Sequence, residues 1–222
     1  GVTMMRSRFY KPLLYVLSAL IIIICVFPFY WAIVSSLKTG SSLFEVEFIP
    51  AQITFSNFID IFQEQPFGRN ILNSLVVAIG TVTLSLLVAV MAAYALGRVR
   101  FRGRSALLLS ILSISMFPQV AILSGMFELI RTLGIYDNLL SLVFSYMTFT
   151  LPFTTWILTT FMKQLPKEIE EAAIIDGANT FTICTRIFLP LLWPALVTTV
   201  LLAFIASWNE FLYALTFTIE SR

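Results

Sequence analysis

The chain has 222 residues, of which 59% are hydrophobic and 12% charged, about half the charged share of an ordinary soluble domain. Such a chain is an integral membrane protein, and its net charge of +2 carries no nucleic-acid footprint. With no histidine and only two cysteines, Cys25 in an apolar run and Cys184 in a polar stretch, the usual zinc sites and Cys/His nucleophiles are excluded as well.

Five apolar runs, residues 13–37, 71–97, 105–126, 139–162 and about 187–208, are each long enough to cross ~30 Å of hydrocarbon, which takes ~20 helical residues. The fold class expected is therefore all-α, a polytopic helix bundle forming one membrane domain over residues 1–222. RSRFYK, residues 6–11, precedes the first apolar run as in a leader, yet the run continues to Leu37 without a small-x-small cleavage pattern, so it reads as a retained anchor. Residues 38–70 follow as an external segment carrying Phe44, Phe48, Phe55, Phe58, Phe62 and Phe67 among polar residues. It is expected to be partly helical and to lie at the membrane surface, its phenylalanines packing or anchoring there in preference to touching substrate.

Every run except the second contains or begins near proline: Pro28, Pro118, Pro152, and the pair Pro190 and Pro194. Within a bilayer the backbone groups that proline frees must be satisfied by neighbours, hydroxyls or water, which favours a bundle able to enclose a cavity. Polar residues gather at these places: Ser113, Ser115 and Gln119 near Pro118, Thr148, Thr150, Thr154 and Thr155 near Pro152, and Ser207, Asn209 and Glu210 after the fifth run. Such hydroxyls commonly join helices. The alternative is a polyol path, with Gln119, Tyr146, Thr150, Thr154 and Trp156 as its candidate residues, since sugars offer hydrogen-bonding edges and faces that stack on aromatic rings.

The basic residues separate by side. Arg6, Arg8, Lys11, Arg98, Arg100, Arg102, Arg104, Lys163, Lys167 and Arg186 fall on one side, and Lys38, Arg69, Arg131 and Arg222 on the other with eight of the twelve acids. By the positive-inside rule the N-terminus, the RVRFRGR loop and residues 163–190 are cytoplasmic. RVRFRGR reads as an orientation signal in preference to a lipid or partner site.

Residues 163–190 read as two short helices and a hinge. Pro166 suits a first helical position, and Glu168, Glu170 and Glu171 crowd the first turns, where the helix dipole favours negative charge. Gly177 suits a left-handed C-terminal cap, Asn179 or Thr180 caps a second helix, and Pro190 lies near its bend into the fifth run. Isolated helices this short are marginal in water, so the element needs a docking partner.

Glu171, Ala172, Ala173, Gly177, Ile187, Leu189 and Pro190 stand at the spacing of the Glu-Ala-Ala signature of ABC-importer permeases, which this chain resembles. The likeness to the carbohydrate branch, in particular to the second permease of maltose-type importers, runs nearly the whole chain: FPFYWAIVSSLK, AYALGRVRFRG, LPFTTWIL, LPKEIEEAAIIDGA and SWNEFLYAL. The resemblance implies a permease subunit of an ATP-driven sugar importer, without a catalytic site of its own. It implies a coupling element over 163–190, with Glu171, Ala172, Ala173, Asp176, Gly177, Ile187, Leu189 and Pro190 meeting the ATPase. The implied partners are a second permease, a cytoplasmic ATPase dimer, an extracytoplasmic sugar-binding protein and membrane lipid. The implied location is a bacterial or archaeal plasma (inner) membrane. No Walker-type glycine loop is present, so ATP and Mg belong to the ATPase chain and no cofactor is expected on this one. The family has a sixth spanning helix, whereas this chain ends at Arg222 soon after the fifth run, so it is expected to be shortened. An ion-coupled secondary transporter is the alternative, but the interiors of the five runs hold none of the ionisable residues a proton relay uses. A membrane-embedded enzyme would need a nucleophile or carboxylate pair at a membrane face.

Overall fold

The computed structural model describes residues 2–218, with the side chains of residues 2–9 and 41 left aside. Of the charges used for orientation, Arg222 and the side chains of Arg6 and Arg8 therefore lie outside what is described. The chain forms two compact units, residues 1–67 and 68–222.

The first unit is one long helix, α1 (Val2–Ser36), followed by a 3-10 turn (Gly40–Phe44) and a short helix, α2 (Ser56–Gln63). From Tyr10 to Ser36 α1 is apolar enough to cross a membrane. The segment after it is organised by Lys38, whose ammonium donates to the carbonyls of Glu45 (3.0 Å) and Glu47 (3.1 Å) and lies 3.8 Å from the Glu47 carboxylate. Asn57 donates to the carbonyls of Ser36 (3.0 Å) and Lys38 (2.8 Å), which folds the segment back over the end of α1. Phe55, Phe58, Ile59 and Phe62 share one face of α2 by their spacing, and all four are exposed. That apolar stripe fits a helix lying in the membrane interface.

The second unit is built on two long helices, α3 (Phe67–Arg98, from Gly68 on) and α6 (Leu139–Gln164), about 48 and 39 Å long at 1.5 Å per residue. They run side by side in the same direction. Ser85 meets Thr150, oxygen to oxygen, at 2.8 Å; a methyl on Gly80 would touch Val143 at 3.4 Å; and Gly97 lies against Met162. Small residues are what let two helix backbones approach this closely in lipid. Two buried clusters hold the pair. One gathers Val77, Tyr146, Tyr213 and Phe217 near the Phe67 end, and the other Ala93, Tyr94, Met162, Phe188 and Leu196 near the Arg98 end.

Between α3 and α6 the expected third span is two helices, α4 (Arg104–Ser115) and α5 (Gln119–Thr132), bent by 95°. Pro118 causes the break: it has no amide to donate and disfavours helical geometry at Phe117, and its own ψ is 128°. The fifth run differs likewise. The helical segment α8 (Thr180–Leu191) turns by 80° into α9 (Trp193–Trp208), so the bend falls at Leu192 and not at Pro190. Pro194 explains this, since its ring removes the bond to the Pro190 carbonyl and crowds it. A six-residue helix, α10 (Leu212–Phe217), follows. Among the described residues three helices are long and apolar enough to span a membrane, or five if each bent pair is one span.

Candidate functional site

The joint between α6 and α8 is a helical elbow. Leu165 ends α6 in an extended conformation, Pro166 is the N-cap, and α7 (Lys167–Ile175) carries Glu168 and Glu170 in its first turn. Gly177 has φ +81°. Its amide donates to Ile174 (3.0 Å) and that of Ala178 to Ala173 (2.9 Å), the paired bonds of a Schellman C-cap, which glycine accommodates without Cβ strain. Of the two residues suited to cap the second helix it is Asn179 that does so, its side chain accepting from the Thr182 amide at 2.8 Å. Within α8 residues Ile183–Phe188 form a π-helical turn, a widening that sequence patterns do not reveal.

The eight residues expected to meet an ATPase divide between two faces. Ala173 is buried, and Ile187 and Leu189 pack partly onto the cluster of Tyr94, Met162 and Phe188. Glu171, Ala172, Asp176, Gly177 and Pro190 are exposed. Beside them Ile174, Ile175 and Phe181 are 58%, 86% and 65% exposed, so the elbow's outer face is apolar with an acidic border.

The inner face meets a residue the sequence reading placed elsewhere. Arg98, first in the basic run that the charge pattern assigns to orientation, turns inward with only 4% of its side chain exposed. Its guanidinium donates to the carbonyls of Leu165 (2.8 Å) and Pro166 (3.3 Å), its Nε lies 3.7 Å from the Glu170 carboxylate, and its Cζ sits 4.7 Å from the centre of the Phe188 ring. Tyr94, one turn earlier, donates to Glu170 at 2.8 Å. The only sequence signal was position: Arg98 follows Gly97, where the backbone is pressed against α6.

At the opposite end a cavity of about 580 Å³ is lined by Arg69, Asn70, Ser74, Asp137, Tyr146, Trp208 and Glu210 among others. Of the five candidate path residues Tyr146 lines it; Gln119, Thr150, Thr154 and Trp156 do not. The hydroxyls near Pro152 mostly return to their own helix, as Thr150 does to the Tyr146 carbonyl (2.9 Å) and Thr159 to that of Thr155 (2.7 Å). Thr154 is buried with its hydroxyl unpartnered. Glu210 accepts from the amides of Tyr213 (3.0 Å) and Ala214 (3.3 Å), capping α10.

Apolar spans broken at prolines, with one polar elbow folded back on their ends, describe a polytopic helical membrane protein. Residues 85–221 match the family described as binding-protein-dependent transport system inner membrane component, and the chain belongs to that family. It is 37% identical to the trehalose/maltose transport system permease protein MalG of Thermococcus litoralis, over 98% of this chain and 80% of that one. It is 34% identical to the sulfoquinovosyl glycerol transport system permease protein SmoH of Agrobacterium fabrum, over 93% and 73%. Among solved structures it resembles a bacterial ABC transporter that imports the acidic polysaccharide alginate, with a TM-score of 0.84, 25% identity, and coverage of 96% of this chain and 75% of that one.

Proposed function

We propose that this chain forms half of the pore of an ATP-driven carbohydrate importer and that its elbow, residues 163–190, receives the stroke of a separate ATPase. The observation that carries the reading is the elbow's two faces: one packed on the ends of α3 and α6, the other offering Ile174, Ile175 and Phe181 to solvent. An apolar face of this kind on a nine-residue helix fits a cleft in a cytosolic partner. On this reading residues 1–222 act as one membrane domain with a cytoplasmic N-terminus and an external segment at 38–70. A second permease completes the pore, an ATPase pair holds ATP and Mg, and an external binding protein delivers substrate. The substrate route passes the cavity wall at Tyr146, and Thr150, bonded to Ser85, has a packing role.

The orientation is tested by labelling single cysteines. Positions near Arg102 and Asn179 are expected to react only from the cytosol, and positions near Phe55 and Asp137 only from outside; one reversal overturns the map. The substrate class is tested by uptake. The substrates in the relatives' names contain sugar units, which supports an oligosaccharide or other glycoside here. ATP-dependent uptake of a glycoside is expected, whereas uptake of an amino acid, peptide or metal with no response to any sugar refutes it. Uptake driven by an ion gradient without ATP favours the secondary transporter instead.

A further inference from the structure

We infer that Arg98 is the positioning residue through which movement of the elbow reaches α3. The inference rests on the elbow being the element an ATPase moves. α6 and α9 are joined to the elbow through the backbone, so a displacement is transmitted to them covalently. α3 has no such link, and its grip on the elbow is made by side chains alone.

One guanidinium supplies the charged part of that grip. From the last residue of α3, Arg98 bonds the carbonyls of Leu165 and Pro166 where α6 passes into α7, faces the Glu170 carboxylate on α7, and sits over the Phe188 ring of α8. It therefore touches all three parts of the elbow at once. Nη2 makes both carbonyl bonds while Nε faces the carboxylate, so separate nitrogens of one rigid, always-charged group serve the two kinds of partner. Removing either partner of a buried charge pair leaves the other uncompensated, a strongly unfavourable state. When the elbow shifts, separation of Arg98 from its partners is disfavoured, and α3 is drawn along. Tyr94 adds a second hold on Glu170. The apolar contacts of α3 with the elbow, such as Ala93 and Tyr94 in one cluster with Phe188, are non-directional, whereas the hydrogen bonds of Arg98 fix it to particular acceptors. An orientation charge, by contrast, has no need of burial; Arg100 and Arg102, both exposed, suffice for that.

The test uses the assembled transporter in vesicles, with Cys25→Ser and Cys184→Ala, and a fluorophore on a single cysteine at Glu168, on α7, or at Val99, just past α3. Both sites are exposed and lie outside the apolar outer face. Both labels are expected to respond to ATP in this background. In Arg98→Gln the Glu168 label still responds, the Val99 label loses most of its response, and uptake per ATP hydrolysed falls about tenfold or more. Arg98→Lys, which keeps the charge without the fork, is expected to fall between. An undiminished Val99 response in Arg98→Gln overturns the inference. So does loss of the ATPase from both variants, because the guanidinium would then shape the docking face and not connect it to α3. A Glu168 label that is silent in the unmodified background overturns the elbow reading itself.

Discussion

Leucine at position 97 is expected to abolish recovery of folded protein from the membrane, and alanine to lower its melting temperature. A methyl on Gly97 would lie 2.7 Å from Met162 Cγ and 2.9 Å from its Cβ, well inside contact distance. Met162 is fully buried in the cluster with Leu158 and Phe188, and the atoms struck are those nearest its backbone, so rotation of the thioether end gives no relief. The helices must part instead. Overpacking of this kind costs about 1–3 kcal/mol, and the larger leucine exceeds what one displaced side chain absorbs. Gly125, in the interior of α5 with nothing within 4 Å of its added methyl, is the control, and Gly125→Ala is expected to lower neither readout, since alanine is the better helix former. Met162→Ala in the Gly97→Ala background restores part of the loss. A Gly97→Leu protein as abundant and as stable as the parent refutes the close seam.

The second large effect is functional. Gly177→Val places a β-branched side chain at φ +81°, where left-handed geometry costs roughly 1–2 kcal/mol for an L-residue. No neighbour obstructs it, so the whole penalty is conformational and falls on the Schellman bonds that set the angle between α7 and α8. Glu171→Lys changes no buried contact but reverses an exposed charge on the docking face. Both variants are expected to reach the membrane in normal amount, yet to lose ATPase binding or substrate-stimulated hydrolysis together with uptake. Normal transport refutes the prediction. Lost transport with docking and stimulation intact also refutes it, because the defect would then lie in the pore.

How much was legible in the sequence depended on whether local chemistry or packing decided the feature. Gly177 and Asn179 are governed by backbone chemistry within a few residues, and the elbow was readable from them. The runs 71–97 and 139–162 correspond closely to α3 and α6. The bends were readable as prolines but not as angles: Pro118 announced a kink, whereas the 95° turn depends on what α4 and α5 pack against. At the fifth run two prolines stood four residues apart, and only the structure shows that Pro194 sets the corner. The inward turn of Arg98 was hidden by its neighbours, since four arginines in seven residues look alike until three-dimensional contacts separate one from the rest. The candidate path suffered from a further ambiguity. In a membrane both the lipid-facing and the core-facing sides of a helix are apolar, so periodicity does not tell which threonine points inward, and the residues grouped around Pro118 and Pro152 do not share one cavity.

The parallel pairing of α3 with α6 fixes an order of events during synthesis. α3 emerges from the ribosome first, and its groove at Gly97 and the hydroxyl of Ser85 have no partner until α4 and α5 have been made and α6 has followed. Arg98 waits longer still, because Leu165, Pro166, Glu170 and Phe188 all lie downstream of it. A nascent chain arrested before Leu165 thus carries Arg98 with none of these partners, its charge left to water and lipid headgroups at the end of α3.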